Sequence, residues 1–150
     1  MKCFLYICLV IFVFPFQTKA QTDSMKAGIY TDNAPKPIGP YSQAVEANGF
    51  VFISGQIAID PATNNMLNSN VKAEAEQVMK NLQAIVHAAG CEMSDVIKCS
   101  IFLRDMNDFA VVNQVYGEYF TEHPPARETV AVLDLPKHAK VEISAVVLKR

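Results

Sequence analysis

The spacing of apolar residues changes along this chain, and each change marks an element. Val71, Ala75, Val78, Leu82, Ile85, Val86 and Ala89 recur at the interval of one helical face. The pattern predicts a helix over 71–89, stopped by Gly90 as a C-terminal cap. Elsewhere the period drops to alternation. Residues 50–59 predict a strand, with Phe50, Phe52, Ser54 and Gln56 on one face and Val51, Ile53, Gly55 and Ile57 on the other. Asn48-Gly49 predicts a tight turn joining it to an earlier strand over 41–47. Gly55 inside the strand predicts a bulge, or a point where something approaches the backbone closely. Residues 96–104 alternate again, with Ile97, Cys99, Ile101 and Leu103 inward and Lys98, Ser100 and Arg104 outward.

Asp105 or Asn107 is placed to cap a second helix reaching about residue 120, with Phe109, Val112, Tyr116, Tyr119 and Phe120 on its buried side. Strands over 127–133 and 140–148 come next, separated by a turn at 136–138. Residues 21–33 read as a polar, mobile lead-in, and Pro35, Pro37 and Pro40 stiffen the entry. The order β-β-α-β-α-β-β predicts an α+β fold, a mixed sheet with two helices on one face. The other face carries Phe50, Phe52, Val146 and Leu148. That much apolar surface is not left to water, so a homo-oligomer is expected, most simply a closed ring packed sheet to sheet.

Length and composition add a boundary. The chain has 150 residues, enough for one domain. Lys2, an apolar run from Cys3 to Phe16 and small residues at 18 and 20 form the pattern of a secretory signal cut after Ala20. The pattern predicts a signal peptide over 1–20 and a single domain over 21–150, with an exported, periplasmic or secreted product; the alternatives are an uncleaved N-terminal anchor and, with a non-functional leader, a cytoplasmic product. The apolar run is short for a membrane span, so no membrane attachment is expected after cleavage. Losing Lys2 and Lys19 moves the formal charge from −2 to −4. With no basic cluster on any predicted face, nucleic acid is not an expected partner. Cys3 and Cys8 leave with the leader. Cys99 sits on the apolar side of a strand, where a free thiol behaves as a small hydrophobe, so a Cys91–Cys99 disulfide is not expected.

Charge in an unlikely place marks the chemistry. Pro124, Pro125 and Ala126 lead to Arg127 at the head of a β-branched run. The guanidinium fork matches a carboxylate or phosphate. Thr129 shares its strand face. Glu142 lies on the succeeding strand, and antiparallel pairing would set it beside Arg127. Spacing alone allows an anion clamp with an adjacent carboxylate, or a plain cross-strand salt bridge. Ser54, Gly55 and Gln56 offer backbone N–H groups to an anion. Tyr41 offers a hydroxyl, and Asn113, one turn after Phe109, points roughly coreward. His87, His123 and His138 lack metal-ligand spacing, and no nucleophile elbow, P-loop or dinucleotide fingerprint occurs.

Taken together, Ile-Gly-Pro-Tyr-Ser-Gln (38–43), Ile-Ser-Gly-Gln-Ile (53–57), Asp-Phe-Ala-Val-Val-Asn (108–113), Pro-Ala-Arg (125–127) and Val-Glu-Ile (141–143) resemble the RidA/YjgF family of reactive enamine/imine deaminases. The resemblance runs from about Ile29 to Lys149. It implies a chorismate-mutase-like fold and a homotrimer with clefts between subunits. It also implies hydrolysis of reactive 2-imino acids, such as 2-iminobutanoate and 2-iminopropanoate, to 2-keto acids and ammonia. By similarity, Arg127 holds the substrate carboxylate with help from the Gly55 backbone, and Glu142 positions the attacking water. Tyr41, Ser54, Asn113 and the backbone at Thr129 complete the pocket. Such chemistry is mostly positioning with one general base, and it needs no metal or cofactor. Many members carry cysteine where this chain has Thr129, so no thiol step is expected. Glu128 stands where many carry a small residue, and alternation sends it away from Arg127. The alternatives are a non-enzymatic trimer that binds small carboxylates or regulates a partner and, less favoured, a ribonuclease.

Overall fold

The computed structural model describes residues 26–150, so the expected signal peptide over 1–20 lies outside the described residues. One helix organises the core. In α1 (Val71–Ala88), Val78, Met79, Leu82, Ile85 and Val86 have no solvent exposure. Each large apolar side chain so placed contributes about 1.5–3 kcal/mol of burial. Asn70 opens the helix, its side chain accepting from the Ala73 N–H at 2.9 Å. Gly90, at φ +75°, closes it one residue past the cap.

The strands are β1 (Ala27–Ile29), β2 (Ala44–Ala47), β3 (Phe50–Gln56), β4 (Val96–Leu103), β5 (Ala126–Ala131) and β6 (Val141–Leu148). The second helix, α2 (Phe109–Gly117), lies between β4 and β5. The strands form one six-stranded sheet in the order β1-β2-β3-β6-β4-β5. Every neighbouring pair is antiparallel except β4 and β5, which run parallel across the α2 crossover. The helices cover the face formed by Val51, Ile53, Cys99, Ile101, Leu103, Val141, Ile143, Ala145 and Val147. Cys91 and Cys99 are buried free thiols. The opposite face is open in the single chain: Phe52 is 49% exposed and Val130 42%. This is the mixed α+β sheet with two helices on one face that the chain's pattern predicts.

Four details depart from the pattern. The lead-in, expected to carry no element, contains β1, which pairs with β2 from Ala27↔Glu46 to Ile29↔Ala44. Ile97, expected inward, is 41% exposed. The β4–β6 ladder steps from Val96↔Val147 to Lys98↔Val146, so Ile97 is the extra residue of a bulge and loses its inward direction. Phe109, expected buried, is 39% exposed. Asp105 caps a short 3₁₀ turn at 106–108 instead, so α2 begins at Phe109 itself, on the rim. Gln56, expected on the Phe50 and Phe52 face, is buried. The β3–β6 register shifts between Ile53 and Gln56, which places a bulge at Gly55, where the sequence predicts one.

Candidate functional site

The bulge in β3 creates the first half of the site. With no side chain, Gly55 lets β6 press its Glu142 carboxylate against the β3 backbone, and a Cβ there would fall on that carboxylate. Just before it, the Ser54 N–H donates to the Gln43 carbonyl at 3.0 Å and the Ser54 hydroxyl to the Ser42 carbonyl at 2.8 Å. The side chain of buried Gln43 ties the proline-rich entry to the sheet. It donates to the carbonyls of Thr31 (3.0 Å), Ala34 (3.1 Å) and Pro35 (2.8 Å), and it accepts from the Thr31 N–H (2.7 Å). Tyr41 stands at the rim, its hydroxyl accepting from the Ile38 N–H at 3.2 Å. Together they line a cleft of about 340 Å³ that holds Tyr41, Ser54, Gly55 and Glu142, with Ile57, Ile59 and Pro136 as its apolar lining.

Glu142 is half-buried in that cleft. Among the described residues nothing hydrogen-bonds or ion-pairs with its carboxylate. Burial therefore acts unopposed and raises its pKa above the ordinary carboxylate value. A partly desolvated, unpaired carboxylate has free lone pairs and a raised basicity. That suits it to orient a water and take its proton.

The second half sits at the sheet edge, where β5 passes under α2. Arg127 Nη1 donates to Asn113 Oδ1 at 2.8 Å. Its guanidinium carbon lies 4.9 Å from the Tyr116 ring centre and 5.8 Å from that of Phe109. A neutral amide and two aromatic faces fix the fork's direction and leave its charge unspent. Thr129 comes next on the same face. Its hydroxyl oxygen is buried without a hydrogen-bond partner, and the buried Tyr116 hydroxyl has only the weak Cys99 thiol beside it. Burial also pushes the neighbouring Cys99 thiol up to about 11, so it stays neutral near pH 7. Asn113, Tyr116, Pro124, Pro125 and Arg127 line a hollow of about 370 Å³.

The seven residues singled out from sequence thus fall into two groups. Tyr41, Ser54, Gly55 and Glu142 share one cleft, Arg127 and Asn113 line the other hollow, and Thr129 lies two residues along the Arg127 strand face, outside that hollow's lining. The expectation that Glu142 lies beside Arg127 is corrected. β5 pairs with β4, and β4 separates it from β6. Arg127 registers with Cys99 on the helix-covered face, whereas Glu142 registers with Phe102 on the open face. A cross-strand Arg127–Glu142 salt bridge is excluded on the same ground. Glu128 does point away from Arg127. It accepts from the Ser100 hydroxyl and pairs with Lys98 at 3.1 Å, and these contacts, Ser100 first, hold its pKa below the usual value. The sequence alone assigns no role at the site to Gln43 or Tyr116, although both lie in apolar or proline-rich surroundings where a polar group needs a reason. Among the described residues, no group of three or more His, Cys, Asp or Glu side chains is placed to hold a metal ion.

Comparison with known proteins shows where this arrangement belongs. A family profile described as Endoribonuclease L-PSP matches residues 31–149. The chain belongs to the RidA/YjgF family. A RutC family protein of Pyrococcus horikoshii is 53% identical over 125 residues, which is 83% of this chain and 99% of that one. The 2-iminobutanoate/2-iminopropanoate deaminase of Dermatophagoides farinae is 48% identical over 125 residues, 83% of this chain and 98% of that one. Among solved structures, E. coli TdcF with bound serine superposes with a TM-score of 0.79 at 42% identity, over 83% of this chain and 99% of that chain. The sheet with two helices on one face is the chorismate-mutase-like fold of these RidA/YjgF relatives.

Proposed function

We propose that this RidA/YjgF protein is a homotrimeric deaminase that hydrolyses reactive 2-imino acids, such as 2-iminobutanoate and 2-iminopropanoate, to 2-keto acids and ammonia. The observation that carries the reading is the unpaired, partly desolvated Glu142 carboxylate in an open cleft against Gly55. In the proposed reaction, Glu142 takes a proton from a water as that water's oxygen bonds to the imine carbon. The proton is returned to nitrogen to give the neutral carbinolamine; Glu142 then passes the carbinolamine's hydroxyl proton to the amine nitrogen, the C–N bond breaks, and ammonia leaves as the C=O bond forms. Imines already hydrolyse in water, so the protein has only to hold the molecule and aim the water.

Arg127 is assigned the substrate carboxylate. Because it lies across the sheet from Glu142, the reading requires Arg127 of one copy to face Glu142 of another. The open sheet face, with Phe52 and Val130 exposed, is a surface suited to that association. With threonine at 129 and a neutral buried Cys99, direct attack by water is favoured over a covalent thiol step. The named deaminase activity of the Dermatophagoides farinae relative supports the same class of reaction.

A second reading, RNA cleavage, is raised by the family description. A formal charge of −2 is a poor match for a polyphosphate chain, so we rank it lower. A third, carboxylate binding without turnover, is raised by the serine bound to TdcF. The deciding experiment adds purified protein to an amino-acid oxidase that generates 2-iminobutanoate and tracks imine loss. At imine concentrations well below KM, acceleration reduced about tenfold or more in Arg127→Ala and in Glu142→Gln is expected. Wild-type decay no faster than in buffer, with keto-acid binding intact, would leave only the binding reading. Export is part of the proposal, and N-terminal sequencing of protein from its native host is expected to find cleavage after Ala20.

A further inference from the structure

Helix α1 buries two polar side chains that the proposed chemistry leaves unused. Glu74 and Asn81 both have no solvent exposure. Seven residues apart, they lie on one face and about 10 Å apart along the axis. A carboxylate and an amide are costly to bury unless every polar atom is met. Both are met, and what they hold is informative. The Glu74 carboxylate accepts from the backbone N–H of Lys140 at 2.7 Å and from its ammonium at 2.9 Å. The Asn81 amide donates to the carbonyls of Ile57 at 3.1 Å and Ile59 at 2.9 Å, and its oxygen accepts from Gln77 at 2.8 Å.

These partners lie on or lead into the two walls of the cleft: Ile57 and Ile59 line it, and Lys140 leads to Glu142. Lys140 directly precedes β6 and stands two residues before Glu142. Ile57 and Ile59 come after β3, just past the bulge that faces Glu142. The two segments meet where Ile57, Ile59 and Ala139 pack as a small cluster of their own. The sheet ladder is interrupted where the two segments approach the cleft. On the β3 side the ladder jumps from Ile53↔Ala145 to Gln56↔Ile143. The approach to β6 is also strained, since Lys137 and His138 both hold φ near +55°. Arg104 braces it, its Nη1 donating to the His138 carbonyl at 2.7 Å and its backbone N–H to the Lys140 carbonyl at 3.0 Å.

We propose that Glu74 and Asn81 are positioning residues, which hold the β6 entry and the post-bulge segment at the separation that aims Glu142 into the cleft. The inference rests on Glu142 as the water-activating group, but its test reads Glu142 directly. Glu74→Gln keeps the shape and an acceptor for the Lys140 N–H while losing the ion pair. Asn81→Ala frees the Ile57 and Ile59 carbonyls. Met79→Ala, buried on the same helix without a bond to either wall, is the control for lost stability. Each folded variant is monitored by carbon NMR of the Glu142 carboxyl against pH, and by kcat and KM for 2-iminobutanoate. Lys36 and Tyr41 are the other titratable groups lining the cleft, with Glu74 and Lys140 paired behind it.

In Glu74→Gln and Asn81→Ala the Glu142 titration should move toward the ordinary carboxylate range. Their kcat should fall about tenfold or more, as for a misplaced catalytic group, while KM changes little. Met79→Ala should lower Tm without moving either readout. Titrations and kcat unchanged in both variants, or moved equally by Met79→Ala, would overturn the proposal. So would failure of both variants to fold, which would make the pair staples of the fold alone. A wild-type protein without imine turnover, whose Glu142 titration still responds to the two variants, would instead sink the deaminase reading and keep the positioning role.

Discussion

The two halves of the candidate site solve opposite electrostatic problems. Arg127 is surrounded by neutral partners, an amide oxygen at 2.8 Å and an aromatic ring at 4.9 Å, which fix its direction and leave its charge available. Glu142 has no partner among the described residues and is partly stripped of water, which raises its pKa. A directed cation is built to hold an anion. A lonely carboxylate is built to move a proton. The sheet then keeps the two apart, one on its helix-covered face and one on its open face. In the proposed reaction holding and reacting are therefore assigned to separate parts of one chain, and association of copies becomes part of the active site.

The sharpest way to break this contrast is Glu142→Gln. Losing a general base should lower kcat by about a hundredfold to ten-thousandfold while keto-acid binding by calorimetry persists. Equal loss of binding and turnover would show that the Glu142 half also holds substrate. The wild-type rate should fall as pH drops through the raised Glu142 pKa, with a midpoint above the ordinary carboxylate range.

Arg127→Ala should act through binding, raising KM about tenfold to a hundredfold, the scale of a lost charge-assisted contact. A variant with normal KM and a damaged kcat would reverse the two assignments.

Equimolar Arg127→Ala and Glu142→Gln chains, refolded together, test the separation itself. If each site draws one half from each of two copies, random mixing should restore about a quarter of the wild-type rate. A mixture as inactive as its parents would place both halves of a working site on one chain.

Tyr116→Leu removes the ring beneath the guanidinium and should raise KM by about twofold to fivefold, the worth of a cation–π contact. The smallest effect is on stability. Glu142 with a raised folded pKa binds more protons when folded, so between the ordinary and raised values stability falls as pH rises. Glu142→Gln should flatten that slope in melts across this range and raise Tm slightly at neutral pH.

Much of the fold was legible along the chain because it rests on neighbours in sequence. The α1 stripe needs only its own period. Asn48 and Gly49, at φ 53° and 78°, make the turn that their residue types favour. Gly55 marked the bulge on which the cleft depends. The candidate residues were legible too, since their types and motifs stand out along the chain, but by sequence they fell in one pocket, and their division between two places was not legible.

Distant partners decided the rest. The short β1 has no pattern of its own and becomes a strand because β2 offers it an edge. Ile97 left the core because the β4–β6 ladder absorbs an extra residue there. Glu74 and Asn81 were hidden in a helical stripe, their worth visible only when loops from far along the chain arrived on them. Above all, β6 inserted between β3 and β4 rather than folding back on β5. Side-chain alternation is a local property, so the chain settles which residues share a strand face. Strand order and register are set by the packing of the whole sheet beneath its helices: the order puts β4 between Arg127 and Glu142, and the registers put the two on opposite faces.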